Sequence, residues 1–105
     1  MSATIVMSFV YKIHIAGSDK MLAIADASII GKTFSHEDVE IFVSNQFYGS
    51  EKCSAEEALQ LARKATIINA MGNDVVSLFV KNNIIEDTHI INLGKILHAQ
   101  VVKIL

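Results

Sequence analysis

From Phe9 to Ala16 the apolar side chains of Phe9, Tyr11, Ile13 and Ile15 alternate with Val10, Lys12, His14 and Ala16. A repeat of two puts successive side chains on opposite sides of an extended chain, so the segment is read as a half-buried strand. Gly17-Ser18-Asp19 follows as a turn, and Met21 to Ala25 is an apolar run suited to the returning arm of a hairpin. An antiparallel opening of this kind needs a sheet to complete it.

The rest of the chain is read from its punctuation. Asp26 to Gly31 is expected to form one helical turn, started by Asp26 and ended by Gly31 in the left-handed region. Thr33 to Asp38 is expected to be a polar loop around Phe34. Val39, Ile41 and Val43 mark a third strand, and Asn45 to Ser50 a loop with two adjacent aromatics. Ser54-Ala55-Glu56-Glu57 is a capping box opening a helix with Ala58, Leu61, Ala62 and Ala65 on its apolar face. Thr66 to Met71 is a buried-looking strand ending at Gly72. Asn73 is expected to cap a second helix facing the sheet through Val75, Val76, Phe79 and Val80, with Asn82-Asn83 ending it. Ile90 to Leu93 and Ala99 to Ile104 are the last strands.

These elements predict an α+β fold. Its mixed sheet has an antiparallel first half, one right-handed strand–helix–strand crossover in the second half and two main helices. Ile13, Ile41, Ile68 and Phe79 are expected to be buried. Residues 1–7 form a loose lead-in, and residues 8–105 a single domain. With 105 residues, 51% hydrophobic and 19% charged, the chain holds enough apolar material for a core of its own.

Charge and cysteine usage narrow the function classes. A net charge of -2, with nine scattered lysines and arginines, argues against bulk attraction to nucleic acid or anionic membrane. No apolar run reaches the length of a membrane span, and Met1 to Met7 lacks the basic start of a signal peptide. Cys53 is the sole cysteine and has no disulfide partner within the chain. A cytoplasmic location is therefore expected. His14, His36, His89 and His98 lack ligand spacing, so neither a metal nor another cofactor is expected.

Candidate functional residues fall into three groups. Phe47-Tyr48-Gly49 places two rings in a loop, where they either close over the sheet as a lid or expose a ring to a base or a partner. Gly72 joins a strand to a helix, as in sites where anions reach backbone amides; a tight strand-to-helix turn is the favoured reading. Asn69, His98 and Gln100 lie near strand ends, and Lys32 follows the turn at Gly31.

Together, Tyr11-Lys12-Ile13, Ala25-Asp26 leading to Ile30-Gly31-Lys32, Phe47-Tyr48-Gly49, Ala65 to Asn69 with Gly72, and His98-Ala99-Gln100 resemble archaeal domain-of-unknown-function family 424, in the same order along the chain. The resemblance implies a small archaeal cytoplasmic domain associated with RNA or translation, without an established activity. Two departures stand out. Ser50 replaces a second glycine common in the family, and Leu97 a common proline. The leading expectation is an RNA- or ribonucleoprotein-binding accessory domain linked to translation. Its surface would join Lys32, Phe47, Tyr48, Asn69, His98 and Gln100, with RNA or a ribosomal or translation protein as partner and no membrane. One alternative is a small ligand-binding domain or enzyme, with Asp26, Asn69 and His98 around a pocket near Gly72. Another is a protein–protein adaptor using the Phe47-Tyr48 loop.

Overall fold

In a computed structural model, residues 8–103 are described. The lead-in at residues 1–7 and the last two positions, including Ile104, lie outside them. Among the described residues, eight strands, β1 (Phe9–Ala16), β2 (Asp19–Asp26), β3 (Thr33–His36), β4 (Val39–Phe42), β5 (Glu51–Cys53), β6 (Ile67–Met71), β7 (Ile90–Asn92) and β8 (Leu97–Val102), accompany three α-helices, α1 (Asn45–Tyr48), α2 (Ala55–Lys64) and α3 (Asn73–Lys81). Six strands form one sheet in the order β5-β1-β2-β6-β8-β7, and β3 and β4 form a separate two-stranded ribbon. The fold is α+β with a mixed sheet and two main helices. No described helix is long and apolar enough to cross a membrane.

The first hairpin follows its sequence pattern. β1 and β2 pair in register from Phe9 opposite Asp26 to Ala16 opposite Asp19, turning at Gly17, whose φ is 60°. The strand–helix–strand unit is β6–α3–β7, and β7 runs parallel to β6 with β8 inserted between them, antiparallel to both. The directly paired parallel neighbours are β2 and β6. Their connection runs through the ribbon, α1, β5 and α2. A two-period pattern marks strands but carries no direction, so the pairing partner was not legible.

One face of the sheet holds the main core. Phe9, Leu22, Ile24, Ile68 and Ala70 pack there against Ala58 and Ala62 of α2 and Val75, Val76 and Phe79 of α3. Ile68 and Phe79 are fully buried, whereas Ile13 and Ile41 are only half-buried. The capping box of α2 forms as its spacing demands. The Glu57 amide donates to Ser54 Oγ at 3.2 Å and the Ser54 amide to Glu57 Oε1 at 3.1 Å. These bonds hold the Glu57 carboxyl below the ordinary carboxylate range.

Four local expectations are corrected. Residues 33–38 are not a loop: Thr33 to His36 form β3, and the ribbon turns at Glu37 and Asp38, both at positive φ (50° and 63°). Hairpin turns of this kind usually announce themselves with glycine or asparagine, absent here. Asn45 to Tyr48 is a short helix, with Ser44 Oγ accepting from the Gln46 amide and Gly49 ending it; four residues are too few for a helical period to register. Asp26 does not cap the 3-10 turn Ala27–Ile29 that follows it. Its carboxylate accepts from the amides of Asp74 (3.0 Å) and Val75 (2.9 Å), so it caps α3 from across the fold. Asn73, expected to cap α3, is its first residue. Its side chain instead bonds the Lys95 carbonyl and the Leu97 amide. A proline at position 97 would lack that amide donor.

Candidate binding surface

The sheet face turned away from α2 and α3 is built from the other half of each strand. Register places its side chains in rows. Lys12 lies opposite Ala23, Ala23 opposite Asn69, and Asn69 opposite Gln100. The next row runs Val10, Ala25, Met71, His98 and Ile91, and the row on the other side runs His14, Met21, Ile67 and Val102. Ala23 and Ala25 are short side chains at the centre of this face. Val43, Tyr48 and Ile96 pack with them in a second, smaller core that includes Phe34 and Ile41 of the ribbon.

α1 sits on this face. Tyr48 is 5% exposed, and its hydroxyl donates to Asn69 Oδ1 at 2.7 Å. Burial pushes its pKa up to about 12. Tyr48 is therefore a lid on the core with a polar tip, and its ring is not available to stack on a base. Phe47 is half-buried, stacks on His14 with ring centroids 5.0 Å apart, and meets the Tyr48 ring edge-on. His14 Nε2 donates to the Phe47 carbonyl at 2.8 Å, and Lys12 Nζ to the Gln46 carbonyl at 3.1 Å. Gly49 closes the helix at φ 81°, where a Cβ would collide with the Tyr11 backbone carbonyl. Its role here is close approach.

Beyond the Tyr48–Asn69 bond, Gln100 is exposed and His98 half-buried. His98 Nδ1 lies 2.9 Å from the Ala70 carbonyl. A carbonyl only accepts, so Nδ1 carries the proton and Nε2 presents a lone pair in the neutral ring. Burial lowers the His98 pKa and the Ala70 bond partly offsets it, which favours that neutral form. No buried polar side-chain atom among the described residues lacks a hydrogen-bond partner. Tyr48, Asn69, Gln100 and His98 thus form one strip, and it offers an amide, a second amide and an imidazole acceptor side by side.

Other candidates fall elsewhere. Lys32 is exposed at the base of the ribbon, its backbone bonded to Ile29 and Val43. A 540 Å³ hollow beside the ribbon is lined by Thr33, Phe34 and Lys95 among others, so Lys95 comes to the same end of the molecule as Lys32. Gly72, at φ 128°, has no room for a Cβ because the Asp26 carboxylate fills that space. The start of α3 holds the protein's own carboxylate, which occupies the place an anion would take. Asp26 shares its face with Phe9 and α3, whereas Asn69 and His98 point the other way. The pocket expected from those three residues is not assembled; the sheet separates them. Burial raises the Asp26 pKa, with its two amide bonds acting in opposition.

Lys12, His14, Ile91 and Val102 belong to this face and were not singled out as candidates. The signal was available for the first two, which occupy alternate positions of β1 opposite its apolar side.

With this geometry in place, the family follows from the sequence match. Residues 13–104 match the family described as "Protein of unknown function (DUF424)". The chain belongs to DUF424. In this DUF424 protein the matched span begins inside β1 and takes in every element after it, together with the whole strip. It is similar in structure to an uncharacterized conserved protein from Methanopyrus kandleri, known from a crystal structure. The TM-score is 0.78 at 20% sequence identity, over 93% of this chain and 95% of that one. That likeness extends the DUF424 fold to a solved archaeal protein. No curated protein matches the chain.

Proposed function

We propose that this DUF424 domain is an RNA- or ribonucleoprotein-binding accessory domain linked to translation, and that it binds through the Asn69–Gln100–His98 strip. The observation supporting this reading is the strip itself: neutral hydrogen-bonding groups beside the cover formed by α1 and the ribbon, with Lys12 in the same row and Lys95 at the ribbon end. Amides and imidazoles read base edges without a strongly basic surface, which suits a chain of net charge -2. With Tyr48 buried, Phe47 and its His14 stack form the rim, and hydrogen bonding replaces stacking as the main contact.

A protein–protein adaptor is the second reading. It is favoured by Ile91 and Val102, which lie on the same face and are 51% and 61% exposed. One experiment separates the two. Single-stranded RNA is titrated into the wild type and into Gln100→Ala and His98→Ala. Each variant should weaken binding by about 3- to 10-fold, as for one lost hydrogen bond, without a change in fold. Lys12→Ala should weaken all sequences alike and reduce the salt dependence. No RNA binding by the wild type, together with a partner captured equally well after nuclease treatment, would replace the RNA reading by the adaptor.

A further inference from the structure

The ribbon leaves one edge of β3 unpaired. β3 and β4 pair from Thr33 opposite Phe42 to His36 opposite Val39, and the two turn residues, Glu37 and Asp38, both have positive φ. A two-residue turn of that kind is closed by a hydrogen-bonded pair, here His36–Val39. Alternation makes Phe34–Ile41 the next such pair, and the Val43 amide donating to the Lys32 carbonyl continues the series. Thr33 and Ser35 fall between. Each turns its own amide and carbonyl away from β4, and among the described residues these groups have no backbone partner.

The 540 Å³ hollow lies on that side of β3. Thr33, Phe34 and Ser35 form one wall, and Leu93, Gly94 and Lys95, from the turn between β7 and β8, form the other. The second wall is fixed from behind. The Leu93 amide donates to the Ile96 carbonyl, the Gly94 amide to Asn92 Oδ1, and the Lys95 carbonyl accepts from Asn73 Nδ2. Gly94 lies against His36, where a Cβ would stand 3.5 Å from Nδ1, so the walls meet at the ribbon tip and close that end. Small-molecule sites have volumes of about 300–1,000 Å³, and this one falls among them. Along β3 its free groups run donor, acceptor, donor, acceptor. Phe34 and Leu93 add apolar surface, and Lys95 adds a cation. The described lining holds no carboxylate; Glu37 and Asp38 lie in the turn beyond the closed end, and Glu40 is opposite Ser35 on the other strand.

We propose that this hollow binds a single nucleotide, with the base edge on the Thr33 and Ser35 backbone, the base faces against Phe34 and Leu93, and the phosphate at Lys95. A nucleobase carries donors and acceptors side by side along one planar edge, which is what an extended strand edge complements. A lysine meets phosphate as a point charge. An extended peptide would use the same edge, but only two residues of β3 face outward, and the His36–Gly94 contact blocks a strand from running through. Leu93 follows Ile91 by two residues, and Ile91 pairs with His98, so the hollow begins about 7 Å beyond the strip. A free mononucleotide and an unpaired nucleotide of an RNA crossing the strip offer the same chemistry. Only the second source rests on the RNA reading above.

The test is an amide NMR titration of the whole chain with AMP, adenosine, inorganic phosphate and single-stranded oligo(A). AMP should move the Thr33, Ser35 and Lys95 amide resonances to saturation. It should bind about 3- to 10-fold tighter than adenosine, the phosphate adding one charged contact. Lys95→Ala should remove that difference and leave adenosine binding unchanged. Ser35→Pro should weaken both ligands, since an edge strand tolerates proline where the amide faces outward and the ladder keeps its bonds. Lys52→Ala, on β5 at the far edge of the main sheet, should change nothing. Oligo(A) competing with AMP for the same amides would make RNA the source, and AMP binding alone would make it the free nucleotide. The Asn69, His98 and Gln100 amides report the strip separately. If oligo(A) moves the strip while neither it nor AMP moves the hollow, the nucleotide site is overturned and the RNA reading stands. If AMP moves the hollow while oligo(A) leaves the strip unmoved, the RNA reading falls and the nucleotide site stands. Phosphate alone reproducing the AMP shifts would leave only an anion site. An acetylated trivaline peptide moving the Thr33 and Ser35 amides where AMP does not would assign the edge to strand addition. Either result would overturn the proposal, as would Lys95→Ala binding AMP like the wild type.

Discussion

The two faces of the sheet are held by different means. On the helix face, Phe9, Leu22, Ile24, Ile68 and Phe79 are large, apolar and fully buried beneath two amphipathic helices. On the strip face the central strand presents Ala23 and Ala25, the cover is a four-residue helix and a two-stranded ribbon, and polar groups are satisfied individually. The contrast sets the face that carries most of the apolar burial apart from the face proposed for recognition. Bulk hydrophobic burial on one side leaves the other free to keep amides and imidazoles at its surface.

The comparison can be broken most directly in the helix layer. Phe79→Ala should cost about 3–5 kcal/mol in denaturant unfolding, because it empties a fully buried aromatic site. A loss near 1 kcal/mol would mean that the two faces contribute alike. Asp26→Ala should cost about 2 kcal/mol, since it strips two amides at the start of α3 of their acceptor. Tyr48→Phe sharpens the picture of the strip face. It keeps the ring and removes the Asn69 bond, so about 1 kcal/mol should be lost, and a larger fall would mean that the hydroxyl matters more than the packing.

The smallest effect is a pH dependence. The folded-state pKa of His98 lies below the ordinary value of 6.5, so the unfolded chain takes up the proton more readily. Its contribution to stability is full above 6.5 and is lost as pH falls through the folded value. The urea midpoint should therefore drop between pH 7.5 and pH 5, and His98→Gln should flatten that part of the profile. An equal drop in the variant would assign the dependence to other groups.

Much of this was legible in the chain. The β1 alternation, the Ser54–Glu57 capping box and the Val75, Val76, Phe79 stripe are local patterns, and each formed where it was read. The candidate site was half legible. Phe47, Tyr48, Asn69, Gln100 and His98 come to one face, while Lys32 and Gly72 lie apart from it. The aromatic pair could be located along the chain, but whether Tyr48 lay exposed depended on Ala23 and Ala25, more than twenty residues away.

The sequence by itself determined the longer segments that extend or coil and which sides of them are apolar, because these depend on neighbours a few residues apart; the short strand Thr33–His36 and the four-residue helix Asn45–Tyr48 were too brief to show such a pattern. Tertiary structure alone decided which strand lies beside which, and hence that Asp26 caps α3 rather than its own turn. It decided too that Tyr48 spends its hydroxyl on Asn69, and that Asp26 and His98 face opposite ways across the sheet. The physical reason is that a hydrogen bond between distant residues leaves no periodic trace in the chain. It forms only once burial has brought together two groups that each need a partner.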